Sequence, residues 1–178
     1  MNGIDLMIVA ASKGWVNEEL KYSIEDETID INVKGYMQVL SAAWYYFAKK
    51  GYGQIAGITS IAAIRGNRVA PAYNASKAFQ SSYLEALRIK SKKENRKIKV
   101  TELIPGFIDT AMGKSDRMFW VASVEKAARQ CKKAIDNKRQ KAYITKRWWL
   151  IYLLLKFLPI FIYDSLINAS WKTKSQSK

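Results

Sequence analysis

Residues 4–9, IDLMIV, form a short apolar run that stops at the polar ASKG of residues 11–14. A strand with one solvated face alternates polar and apolar residues, whereas a strand covered on both faces reads as a near-continuous apolar run. The stretch therefore predicts a strand of a parallel sheet. No basic segment precedes it, so it reads as a strand and not as the core of a signal peptide.

Outward from that strand, the pattern repeats. Residues 18–50 read as one or two helices, strongest over NVKGYMQVLSAAWYYFAKK (32–50), with Gly51 and Gly53 marking the end. QIAGITS (54–60) is a second buried strand. A polar loop with Gly66 and Pro71 leads into AYNASKAFQSSYLEALRIKSKK (72–93), a long helix whose basic end suits the helix dipole. IKVTELIPG (98–106) is a third strand, stopped by Pro105 and Gly106. A loop and a short helix are expected up to about Val121. SVEKAARQCKKAIDNK (123–138) is an amphipathic helix with Ser123 as its N-cap, and KAYIT (141–145) is a fourth strand. Strands alternating with helices predict an α/β fold, a doubly wound parallel sheet with helices on both faces.

Composition narrows the chemistry. The 178 residues suit one domain with a sizeable core. The absence of histidine excludes a serine–histidine hydrolase, and with a single cysteine it argues against zinc or haem; no metal site is expected. That lone Cys131 fits a reducing, cytoplasmic setting. The net charge of +15 suggests an anionic partner, and residues 138–178 hold nine Lys/Arg against one acid, Asp164. No nucleic-acid-binding motif accompanies that charge, so nucleic acid is not expected as a partner.

Ligands of doubly wound sheets bind beyond the carboxyl ends of the strands. Thr59 and Ser60 close the second strand there, and Pro105, Gly106 and Thr110 follow the third. Tyr73 and Lys77, within YNASK (73–77), lie one helical turn apart near the start of the next helix. A nearby ammonium favours the phenolate and would make the tyrosine a proton donor usable near neutral pH. Three other Tyr–Lys pairs share the spacing (45/49, 46/50 and 152/156), but none has this placement. Taken singly, Asn32 reads as a group satisfying helix backbone, Ser60 as a strand terminator, Thr110 as a cap and Pro105–Gly106 as a turn.

Taken in order, INVKG with Asn32, ITS ending at Ser60, YNASK, and PGFIDTAM resemble the short-chain dehydrogenase/reductase family over nearly all of the chain to about residue 145. The interval from Ser60 to Tyr73 is also the one that family uses. The resemblance implies a partial Rossmann-like fold and an NAD(P)-dependent interconversion of a ketone or aldehyde with an alcohol. Tyr73 would be the acid/base, and Lys77 would supply charge and bind the nicotinamide ribose. Ser60 would hold the carbonyl oxygen, and Asn32 would anchor a water linked to Lys77. Pro105, Gly106, Ile108 and Thr110 would cradle the nicotinamide. The cofactor would be NAD or NADP, with NADP slightly favoured, and the chain a homo-oligomer joined through the helices at about 33–50 and 72–92.

Two departures stand beside that likeness. There is no glycine-rich phosphate loop, and Val9, Ala10, Ala11 and Ser12 occupy the place of the family's NNAG. The first strand matches the family's fourth, so the first three strands are absent, and with them the segment that separates NAD from NADP. The chain then reads as the C-terminal portion of a longer reductase or as a shortened relative; a non-catalytic binding or membrane-associated scaffold is the alternative function. Residues 1–145 form the catalytic part, followed by a tail over 146–178. Within it, KRWWLIYLLLKFLPIFIY (146–163) predicts an apolar-basic helix in the membrane interface, as a peripheral contact; the competing readings are a helix packed over the substrate pocket or at a subunit contact, or a spanning segment. Interface binding would make a hydrophobic or lipid-like carbonyl substrate attractive.

Overall fold

The computed structural model describes residues 3–110 and 118–175, with side chains as far as residue 167. Four parallel strands, β1 (Leu6–Val9), β2 (Tyr52–Ile58), β3 (Lys97–Pro105) and β4 (Lys141–Ile144), pair in sequence order. Between β1 and β2 the chain runs through α1 (Tyr22–Ile29), a π-helical segment (Asp30–Gly35) and α2 (Tyr36–Lys50) without leaving helical geometry. The helix stops at Gly51, whose φ of 89° is left-handed and open to glycine at no steric cost. Helix α3 (Pro71–Lys93) joins β2 to β3, with Pro71 in its first turn, where a missing N–H leaves no bond unmade. Helix α4 (Val124–Asp136) joins β3 to β4, and the Ser123 hydroxyl accepts from Lys126 N as its cap. The short helix expected before Val121 falls partly on residues 111–117, outside the described residues; none of the described residues at 107–110 or 118–121 is helical.

Alternation along the strands divides the core in two. Ile55, Ile98 and Val100 face Leu40, Phe47, Leu84 and Leu87 from α2 and α3. Ala56 and Leu103 turn to the other side, against Ala134 and Ile135 of α4. Strand β1 departs from the expected double cover. Val9 and Met7 pack into the α2 side, whereas Leu6 and Ile8, on the opposite face, are 38% and 47% exposed. The apolar run is present, but among the described residues nothing packs over its second side.

The tail also differs from the single helix expected. It forms α5 (Trp148–Phe157) and α6 (Ile160–Ser175), broken at Pro159 and bent by 118°. Proline cannot donate to the helical ladder and disfavours helix at the residue before it, and Leu158 is accordingly extended. Among the described residues no single helix is long and apolar enough to cross a membrane, although the bent pair together has the length and composition. Trp148 is buried, its indole edge-on to Phe107 and tilted against Phe119. A Cβ on Gly106 would lie 1.9 Å from that indole, so only glycine lets the tail seat there. Burial of a side chain this large contributes about 3 kcal/mol. Of the readings of the tail, the inner side of α5 follows the one that packs it over the cavity described next.

Candidate active site

A cavity of about 750 Å³ opens at the carboxyl ends of β2 and β3. Ser60, Tyr73, Lys77, Pro105, Gly106, Ile108 and Thr110 all line it. Asn32 does not; it is fully buried behind α3.

Each position has a local cause. Ser60 follows β2 in extended conformation and accepts from Ala62 N at 3.1 Å, so its own proton remains free to donate. Tyr73 sits in the first turn of α3, its ring flat against Gly14: a Cβ there would lie 2.5 Å from Tyr73 Cδ2. Burial pushes the Tyr73 phenol above its usual range, and a side-chain hydrogen bond with Ser60 pulls partly back. The expected lowering by the Lys77 cation does not emerge: burial sets the direction, and Ser60 is what opposes it. Lys77 Nζ lies 5.7 Å from the centre of the Tyr73 ring and donates to Gln80 Oε1 at 3.0 Å and to the Ile58 carbonyl at 3.3 Å. Burial lowers its pKa to about 8.

Asn32 acts as a joint. Its Oδ1 accepts from Lys13 N at 2.8 Å; its Nδ2 donates to Lys13 O at 2.6 Å and to Ser76 Oγ at 2.9 Å. That side chain thus ties the loop after β1 to α3, a link the sequence lacks at Val9–Ser12. The π-helical segment places it, and such one-residue insertions recur at functional sites. Its backbone carbonyl accepts from Gln80 Nε2 at 2.9 Å, and Gln80 in turn accepts from Lys77, so a side chain connects Asn32 to Lys77.

Several participants escaped the sequence reading. Asn74, inside YNASK, donates to the carbonyls of Ala62 and Arg65 and fastens the Ser60 loop to α3. Gly14 carried only the signal of a glycine after the first strand. Arg65 donates to the carbonyls of Leu155 and Leu158, and Tyr163 Oη donates to Gly66 O at 2.6 Å, so the same loop holds the tail, with Leu155 and Tyr163 walling the cavity.

The cradle after β3 is pinned by backbone pairing. Gly106 N donates to Ile144 O, and Ile108 bridges Ala122. Within the same cavity the buried Ser12 hydroxyl has no partner among the described residues. An orphaned hydroxyl, an ammonium and a glycine-containing rim in the lining of one cavity fit the ribose–nicotinamide end of a dinucleotide. The sequence offers no glycine-rich loop for the pyrophosphate end.

Comparison with known proteins follows the same outline. Residues 1–119 match the family model described as short chain dehydrogenase. An uncharacterized oxidoreductase of Myxococcus xanthus is 32% identical over 112 residues, 62% of this chain and 44% of that protein. One from Staphylococcus epidermidis is 29% identical over 111 residues, 61% of this chain and 47% of that one. The chain thus spans about half the length of these curated relatives. Among solved structures, a short chain dehydrogenase from Burkholderia cenocepacia in complex with NADP superposes with a TM-score of 0.78 at 20% identity, covering 92% of this chain and 68% of that one. At that identity the likeness speaks for the fold.

Proposed function

Because the chain belongs to the short-chain dehydrogenase family, we propose that it provides the catalytic part of an NAD(P)-dependent oxidoreductase that interconverts a ketone or aldehyde with an alcohol. The observation that carries the reading is the meeting of Ser60, Tyr73 and Lys77 in the lining of one cavity. A bound nicotinamide would supply or accept the hydride. Tyr73, kept protonated by its burial, gives its proton to the carbonyl oxygen, and Ser60 donates a hydrogen bond to the same oxygen as charge develops. Lys77 keeps one of its three donors for the cavity, where it holds the ribose, and Pro105, Gly106, Ile108 and Thr110 border the nicotinamide.

Residues 1–145 form this catalytic part and 146–178 its cover. Much of the lining is apolar, with Trp15, Val16, Ile61, Phe107 and Leu155 favouring a hydrophobic carbonyl compound. Phe157 and Phe161 are 73% and 70% exposed on the outer side of the bend, beside Lys156, and we assign that side to a peripheral membrane contact that delivers such a substrate. Self-association through α2 and α3 is part of the same proposal. A scaffold without catalysis is the competing reading, favoured by the exposed Leu6 and Ile8 on one face of β1, a surface suited to a partner.

Titration with NAD(H) and NADP(H), followed by cofactor oxidation with hydrophobic ketones, tests the enzyme reading. Saturable nucleotide binding and turnover that disappears in Tyr73→Phe support it; no binding of either nucleotide leaves the scaffold. Sedimentation with anionic vesicles, lost in the double variant Phe157→Ser/Phe161→Ser, tests the membrane contact.

A further inference from the structure

We propose that Gln80 is a positioning residue of the site, a clamp that fixes the Lys77 ammonium against the backbone of Asn32. The inference rests on Lys77 being the site's cation, as proposed above. Gln80 lies three residues after Lys77 and seven after Tyr73, on the same side of α3, and is fully buried. Its carboxamide can be placed in one orientation only. The Asn32 carbonyl solely accepts, so the amide nitrogen faces it at 2.9 Å; the ammonium solely donates, so the amide oxygen faces Lys77 at 3.0 Å. The Ile58 carbonyl takes a second ammonium proton. With two of three donors held from behind, the remaining one serves the cavity that Lys77 lines.

Alternatives to Gln80 are already committed. On the elements packed around Lys77, Glu25 of α1 bonds Asn17 and Ala72 N, and Glu27 pairs with Lys13. Asp30 pairs with Lys34 in the π-helical segment, and Glu102 of β3 bonds Thr59 and pairs with Lys141. Tyr73 and Ser60 complete the surroundings on the cavity side. None of these carboxylates bonds the ammonium; its acceptors are the amide oxygen of Gln80 and the Ile58 carbonyl, and a hydrogen bond to a charged group favours the charged form. A carboxamide here also differs from a water in kind: it orients the lysine, but it does not readily pass a proton onward. Proton exchange of the site then takes place on the cavity side.

The test is a pH titration of Lys77 by NMR in the full chain labelled with ε-13C lysine, the signal being assigned by its loss in Lys77→Arg. This readout needs no turnover. We expect a midpoint near pH 8 for the unliganded chain. In Gln80→Leu the midpoint falls by about one pH unit, since a hydrogen bond to a charged group has been removed. In Gln80→Glu, which preserves the volume and adds charge, it rises. If Gln80→Leu does not fold, Gln80→Glu decides alone. Unmoved midpoints, with only the melting temperature reduced, would overturn the clamp and leave Gln80 a packing residue. In turnover assays the alkaline limb of kcat/KM should follow the NMR midpoint of each variant. A limb that ignores a midpoint which has moved counts against the enzyme reading and leaves the clamp standing.

Discussion

At the carboxyl ends of β2 and β3, Asn32, Asn74, Ser76, Lys77 and Gln80 are all buried, and each has a hydrogen-bond partner. Along β1, in the same sheet, Leu6 and Ile8 face outward with nothing upon them among the described residues. The first region binds its polar groups to one another before any ligand arrives. The second leaves apolar surface and one strand edge free, the kind of surface that takes up a partner or drives association. Preorganisation is thus concentrated around the proposed acid/base pair and not along β1.

Substitutions that strike the two regions separately can break this contrast. The largest effect is expected for Tyr73→Phe: turnover falls by about 10²–10⁴-fold while urea denaturation stays unchanged, because only the proton donor is lost. Near-normal turnover would remove Tyr73 from the mechanism. Trp148→Ala should destabilise by about 3–5 kcal/mol, measured by chemical denaturation, since it empties the space between the tail and Gly106. Lys77 contributes a pH dependence of a definite sign. Its folded pKa of about 8 lies below the unfolded value of 10.5, so the unfolded chain holds the extra proton between those limits. Stability from this group is full above the upper limit and is lost as pH falls through the lower one. Relative to Lys77→Met, the wild-type chain should gain up to about 3 kcal/mol as pH rises across that window; a flat difference would mean that Lys77 is not buried as described. The smallest effect belongs to Ile8→Lys, expected within about 0.5 kcal/mol in denaturation and visible mainly as reduced self-association in light scattering. A cost approaching that of Trp148→Ala would show that β1 is covered after all, and the contrast would fail.

Much of this was legible in the sequence because it is local. Apolar runs located all four strands to within two residues, and Ser123 announced its cap through residue type and position. The ordered spacing from Asn32 to Thr110 pointed to one rim of the sheet, and Ser60, Tyr73, Lys77 and the residues after β3 do share a cavity there. What was hidden is long-range. Gln80 reads as one more polar residue on a helix until Asn32, 48 positions away, is seen to face it. Gly14 gains its meaning only when the Tyr73 ring lies across it. The double cover inferred for β1 failed because an apolar run reports a strand's appetite for burial and not whether a neighbour satisfies it. Pro159 was visible in the tail, but the side to which the bend turns is set by Arg65 and Tyr163, whose partners lie 90 and 97 residues off.

The short segment from Ser60 to Gly66 bears the hydroxyl that shares the cavity with Tyr73 at one end and the fastening of the C-terminal helices at the other. Whatever pulls on those helices therefore pulls on that hydroxyl. Shortening the chain beyond β4, a routine step when an oily terminus hampers expression, would slacken the corner of the proposed site as well as uncover it. An inactive trimmed protein would then say little about the chemistry of the intact one.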